Sequence, residues 1–340
     1  MGAEPLLHTA NDSEAAPLIL GLQPAALIDH VARVDSSLLD RIPGDRGGSM
    51  PVGMEELENI LREVKSYIRS SPDDLTPVKT IAGGSVANTI RGLSAGFGVS
   101  CGIIGAYGDD EQGKLFVSNM GSNGVNLSRL RMIKGSTAQG NELSSDDFKG
   151  SKWLVMRYSI FSLEVIQAAV KMAKQERVFV SLDLASFEMV RNFRLPLLKL
   201  LESGDIDLCF ANEDEAKELI GGEKDADPEV ALEFLAKHCQ WAVVTLGANG
   251  CIAKHGKEVV RVPAIGESKA TDATGAGDLF ASGFLYGLVK GLSLVKCCQL
   301  GSCSGGSVIR ALGGEVTPEN RQWMHKHLQI KGLPLPEIPQ

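Results

Sequence analysis

Short, almost wholly apolar runs recur along the chain at Leu18–Leu22, Ser100–Ile104, Trp153–Met156, Val178–Leu182, Ile206–Phe210 and Trp241–Thr245. Segments of helical period lie between them. Met54, Leu57, Ile60, Leu61, Val64 and Ile68 form one amphipathic stripe, and Val165, Ala168, Ala169 and Met172 form another. A strand that is apolar on both faces has to be covered on both, and strands separated by helices pair in parallel. The alternation predicts an α/β fold whose central parallel sheet carries helices on each side, with ligands expected at the carboxyl ends of its strands.

At 340 residues the chain has room for two ordinary domains, or for one large α/β domain with an appendage. Hydrophobic residues at 44% and charged residues at 22% lie near the globular average, which excludes a disordered, collagen-like or coiled-coil chain. With 34 basic and 42 acidic residues the net charge is −8, which argues against nucleic acid or an anionic membrane as partner and for a small molecule. No apolar run reaches the roughly 20 residues that span a bilayer. Met1–Pro17 has neither a basic n-region nor an apolar h-region, so the expected location is the cytoplasm. Seven cysteines, Cys101, Cys209, Cys239, Cys251, Cys297, Cys298 and Cys303, show no CxxC or Cys/His metal spacing and read as reduced core thiols. Between Leu22 and Met50 the pattern changes: a β-like piece, Ala26–Val34, precedes a Pro/Gly-rich loop, Ile42–Gly48, as in a flap that leaves the main sheet.

The stretch Ala270–Leu285 carries the most chemistry. A loop of small residues there feeds a helix that is apolar on nearly every face, and such a helix is buried. Its N-terminus points from the core toward a cleft, with the backbone N–H groups of Gly275, Ala276 and Gly277 unshielded by side chains. Orphan donors and the helix dipole together bind anions, phosphate above all. Asp278 sits in the first turn, where it could take a hydroxyl proton beside a bound phosphate. A base next to an anion hole is an arrangement for phosphoryl transfer. The chain has no GxxxxGK[ST] and no GxGxxG, so glycine amides hold the phosphate rather than a P-loop lysine.

Asp272-Ala273-Thr274-Gly275-Ala276-Gly277-Asp278-Leu279-Phe280, with Gly283-Phe284-Leu285 after it, resembles the C-terminal signature of the ribokinase/PfkB family of carbohydrate and nucleoside kinases. Gly83-Gly84-Ser85-Val86-Ala87-Asn88 resembles the family's N-terminal motif. The resemblance implies that Gly83 and Gly84 let the acceptor approach the backbone and that Asn88 hydrogen-bonds its hydroxyls. Gly21–Asp29 resembles the family's opening Gly-Asn-x-x-x-Asp with Leu22 where Asn is usual, which implies Asp29 as the ribose-hydroxyl partner. Asn212-Glu213-Asp214-Glu215 fits the family's Asn-x-x-Glu, whose Asn and Glu act near Mg²⁺ and the phosphates, mostly through water; by themselves these residues read as a helix cap. Thr245-Leu246-Gly247-Ala248-Asn249-Gly250 matches the nucleotide-side Thr-x-Gly-x-x-Gly. Gly301–Gly306, which includes Gly305, and Gly313-Gly314 fall at the adenine-side position.

The resemblance implies a ribokinase-like three-layer α/β/α fold with a mostly parallel sheet and a small β lid. One kinase domain would occupy 17–330, its lid drawn from about 22–50 and neighbouring strands, between disordered tails at 1–16 and 331–340. It implies ATP and Mg²⁺ as cofactors, with a monovalent cation as a further candidate, and a monomer or homodimer. The implied reaction moves the γ-phosphoryl group of ATP to a primary hydroxyl of a nucleoside, adenosine or another purine nucleoside, with Asp278 as base. A ribose- or fructose-type sugar kinase is the alternative. One departure bears on activity. After Ser136–Gln139 the family continues through a strand, a turn and a second strand, whereas here Gln139 runs straight into Gly140-Asn141. With two strands missing, the chain could be a nucleotide-binding protein of impaired catalysis, since lost strand pairing leaves backbone groups unmatched.

Overall fold

The computed structural model describes residues 16–42, 44, 51–70, 78–134, 143–159, 162–222, 227–266 and 270–336. Its strands are β1 (Ile19–Ala25), β2 (Leu27–Val31), β3 (Lys79–Gly83), β4 (Cys101–Gly108), β5 (Leu130–Ile133), β6 (Trp153–Arg157), β7 (Phe179–Asp183), β8 (Leu208–Asn212), β9 (Trp241–Thr245), β10 (Cys251–His255) and β11 (Glu258–Val262). Nine of them form one sheet in the order β11-β10-β9-β8-β7-β6-β1-β4-β5. Pairing is parallel from β5 to β9, and β10 and β11 add an antiparallel hairpin at one edge.

Alternate residues of each central strand enter different halves of the core. Ile19, Trp153, Val155, Leu208 and Phe210 pack on one face with Phe280, Phe284, Leu300 and Leu328. Leu20, Leu22, Leu154, Met156 and Cys209 pack on the other with Ile166, Val170, Leu201 and Leu232. This period of two explains why the strands read as continuous apolar runs: both faces are covered, so neither is free to be polar. The structure is thus the expected three-layer α/β/α sandwich. β1 lies between β4 and β6, and the strand order runs outward from it in both directions. In an open parallel sheet that reversal places a crevice at the carboxyl ends of the strands.

The chain leaves the main sheet after Ala25, and β2 pairs antiparallel with β3, with Asp29 opposite Ile81. Strand β3 leads through Gly84 into the helix Ser85–Arg91. Most of the Ile42–Gly48 loop and the Gln139–Gly140 junction fall outside the described residues. The packed chain continues past Ile330, since Leu333 is buried in the core and the Leu335 carbonyl accepts from the Tyr286 hydroxyl at 3.5 Å. All seven cysteines are buried free thiols. No helix among the described residues is long and apolar enough to cross a membrane.

Candidate active site

Arg157, Asp183, Asn212 and Thr245 are the last residues of β6, β7, β8 and β9. Parallel register brings all four to one end of the sheet, with Arg157 level with Asp183 and Asn212 level with Thr245. Facing them are the N-termini of the helices Ser85–Arg91 and Ala276–Val289. A cavity of about 120 Å³ lies between, lined by Ser85, Asp183, Asn212, Glu215, Thr245, Gly277 and Asp278, among others.

The helix Ala276–Val289 buries Leu279, Phe284, Leu285 and Tyr286 on successive faces, so its start is held in place by core packing. Gly275 caps it at φ +76°, and a Cβ there would lie 2.5 Å from the Gly314 Cα. Only glycine accepts both that conformation and that contact. The facing loop is tied down by Asp272, whose carboxylate accepts from the backbone of Thr274 at 2.9 Å and of Gly313 at 2.8 Å. Of the amides expected to form the anion hole, Ala276 donates instead to the Ala273 carbonyl at 3.1 Å. Gly277 faces open space in the cleft, with nothing within 4 Å of the point where a Cβ would stand.

Asp278, half-buried, accepts from Asn88 Nδ2 at 2.8 Å, and its carbonyl accepts from the Thr89 hydroxyl at 3.2 Å. Burial pushes its carboxyl up to about 6, against the Asn88 hydrogen bond, and the charge on Asp183 adds to the rise. Burial likewise raises Asp183, whose Oδ1 accepts from the Ala185 amide at 2.9 Å. Glu215 closes a capping box with Asn212, each holding the other's backbone N–H. Burial and then the nearby Asp183 push Glu215 up to about 8. Arg157 answers these carboxyls, and both arms of its fork are engaged, with the Ser85 hydroxyl at 2.8 Å and the Ala185 carbonyl at 2.6 Å. Ala185 takes the left-handed φ of +78° to present that carbonyl.

Asp29 stands over Gly83, where a Cβ would fall 2.1 Å from its Oδ1, and the Gly84 backbone donates to it. Burial raises its pKa, and the field of Arg91 opposes the rise. Gly84 caps the helix Ser85–Arg91 at φ +94°. The turn is organised by Gln23, whose Nε2 donates to the Gly83 carbonyl at 3.2 Å and whose Oε1 accepts from Ala87 at 3.0 Å. Thr245 lines the cavity, and Gly247 at φ +54° opens on solvent nearby. Gly250 and Gly305 do not reach the cavity. A Cβ on Gly250 would strike the Val262 carbonyl at 2.0 Å, and one on Gly305 would lie 2.8 Å from the Ala276 carbonyl, so both are sites of backbone packing.

Arg157, Asp183, Ser85 and Gln23 were not anticipated from the sequence. The first two had a usable signal: each is the first charged residue after an apolar strand, and in a parallel sheet that position falls at the ligand end. Asn212 and Glu215 could hold a magnesium ion through water, since Mg²⁺ keeps several of its waters. The raised carboxyls around one guanidinium mark a site short of positive charge, which suits such an ion. Among the described residues no three His, Cys, Asp or Glu side chains converge as a direct metal cage.

Comparison with known proteins finds relatives in both sequence and fold. Residues 141–320 match the family described as "pfkB family carbohydrate kinase". An "ATP-dependent 6-phosphofructokinase" from Thermoanaerobacterium thermosaccharolyticum is 26% identical over 269 residues, covering 70% of this chain and 82% of its own. Among solved structures, a "probable sugar kinase protein" from Rhizobium etli superposes with a TM-score of 0.80 at 26% identity, over 94% of this chain and 100% of that one. An adenosine kinase from Sinorhizobium meliloti superposes with a TM-score of 0.76 at 27% identity, over 91% and 98%.

Proposed function

This chain belongs to the pfkB family of carbohydrate kinases, phosphotransferases that act on an alcohol group, and on that premise we propose that it moves the γ-phosphoryl group of ATP to a primary hydroxyl of a nucleoside, a purine nucleoside first. The observation that carries this reading is the Asp278 carboxylate in the first turn of a buried helix, next to Gly277, whose Cα faces open space in the cleft. Asp278 would take the acceptor's hydroxyl proton. The Gly277 N–H and the helix dipole would stabilise charge on the transferring group, where fixed donors in a water-poor site act strongly. Asn212 and Glu215 would hold Mg²⁺ through water; when bound, the ion neutralises phosphate charge. Asp29, Gly83, Gly84 and Asn88 would line the acceptor's side, with Thr245 and Gly247 toward the nucleotide.

Three cations near the acceptor side are already engaged, which favours a neutral acceptor. Arg91 is buried and donates to Ala82, Asn88 and Asn119, Arg157 is engaged as described, and Lys79 pairs with Glu315 at 2.7 Å. None of the three offers an open fork to a second phosphate, whereas a carboxylate such as Asp29 suits a pair of neighbouring hydroxyls. A free sugar is the second reading, supported by the names of a relative called 5-dehydro-2-deoxygluconokinase and of the probable sugar kinase from Rhizobium etli, whereas the 6-phosphofructokinase relative points to a sugar phosphate. An ADP-release assay over purine nucleosides, ribose, fructose and fructose 6-phosphate separates these. Purine nucleosides should be consumed first; preference for a free sugar over every nucleoside would replace this reading with the second, and preference for the sugar phosphate would refute the neutral acceptor.

A further inference from the structure

Arg91 is 1% exposed, and no carboxylate among the described residues lies within ion-pair distance of it. Its guanidinium donates to the Ala82 carbonyl at 3.1 Å, to Asn119 Oδ1 at 2.6 Å and to Asn88 Oδ1 at 2.6 Å, while its Nε has no acceptor. Glu315, Asp29 and Asp278 act on it only through their fields. A buried charge without a direct counter-ion is poorly repaid by attraction alone. What Arg91 supplies is donors to three buried oxygens, one of them on the residue that bonds the base.

We propose that Arg91 is the positioning residue of this site, fixing the amide of Asn88 so that its NH₂ group must face Asp278. A guanidinium has donors and no acceptor, so the oxygen end of the Asn88 amide is the end that can meet it. The NH₂ end is left for Asp278 Oδ2, at 2.8 Å. Arg91 thereby fixes the rotation of the Asp278 carboxylate and favours its ionised form at second hand. Asn119 extends the chain by donating to Glu315 at 3.4 Å, which pairs with Lys79 at the start of lid strand β3. Besides Asn88 and the field of Arg91 itself, the groups that bear on Asp278 are Asp183 from β7, Arg157 from β6 and Ser85, none of them bonded to Arg91.

The inference rests on Asp278 as base, and its test reads the carboxylate directly. Carbon-13 carboxyl titration of the full chain, with the Asp278 resonance assigned by its loss in Asp278→Asn, follows that group without turnover. Arg91→Met should raise the Asp278 titration by on the order of one unit, because a donor to the charged form is no longer held in place. Asn88→Ala should do the same, and the double variant should shift no further than Asn88→Ala alone. Arg91→Lys, also donor-only, should restore most of the native value. No shift in folded Arg91→Met, or additive shifts in the double variant, would overturn the proposal, since a guanidinium acting only through its field does not need Asn88. If Arg91→Met does not fold, Asn88→Ala alone decides, and an unmoved titration overturns the relay. A shifted titration with normal turnover would uphold the positioning role and count against Asp278 as base.

Discussion

Asp183, Glu215 and Asp278 crowd one end of the sheet with Arg157 among them, and each carboxyl sits above its ordinary range. Two consequences follow for single residues. Asp278, at about 6, is mostly ionised at neutral pH and can accept a proton. Turnover should rise with pH through about 6 and level off above it, which a pH–rate profile reads directly; an acid limb near the ordinary aspartate value of 3.8 would contradict the burial assigned to this group. Glu215 bears on stability. Raised from 4.5 to about 8, it binds a proton in the folded chain across a window where the unfolded chain has lost it. Stability from this group is therefore complete below about 4.5 and falls as pH rises toward 8. Melting temperatures of the unliganded protein at pH 6 and pH 8 should show that fall, and Glu215→Gln should flatten it; an unchanged slope would contradict the reading. Asp278, Asn212 and Glu215 could be read from the sequence because they lie inside long patterns of small or capping residues. Arg157 and Asp183 stand alone after apolar runs, and only the sheet's register brings them together.

At the scale of elements, two glycines two residues apart at the start of the helix Ala276–Val289 should behave differently. Gly275 has a left-handed φ and touches Gly314, so Gly275→Ala should cost roughly 1–3 kcal/mol of stability, with turnover lost as the helix start shifts. Gly277 has open space around it, so Gly277→Ala should leave the melting temperature within about a degree while weakening ATP binding, since its methyl group would stand in the phosphate's path. Thermal melts alongside calorimetry with Mg-ATP test the pair; equal destabilisation by both substitutions would refute the distinction. The central strands were legible, with their starts within two residues, as in Val178–Leu182 against the observed Phe179–Asp183, because burial on both faces writes an apolar run into the sequence. β1 and β4 run three and four residues further than read. β5, β10 and β11 were not legible. β5 and β11 lie at the sheet's two edges, and most of their residues are at least partly exposed, which leaves no such run.

For the whole molecule, the residues proposed for the nucleotide side, Asn212, Glu215, Thr245, Gly247, Gly277 and Asp278, all lie C-terminal to the Gln139–Gly140 junction, whereas those proposed for the acceptor side, Asp29, Gly83, Gly84 and Asn88, precede it. On the proposal that two strands are missing at that junction, Mg-ATP binding should depend less on them than acceptor binding does. A version carrying a relative's two strands at Gln139 should turn over nucleosides at least about tenfold faster with similar ATP affinity, a difference of ~1.4 kcal/mol in the barrier. Equal turnover of the two versions would show the segment to be dispensable. The central claim, that Asp278 is the base of a phosphoryl transfer, is tested most directly by Asp278→Asn, which keeps the shape of the side chain and removes its ability to accept a proton. Calorimetry with Mg-ATP and ADP release with adenosine, measured side by side on both proteins, should show ATP affinity little changed and turnover lower by roughly 10²–10⁴; near-normal turnover in Asp278→Asn would contradict it.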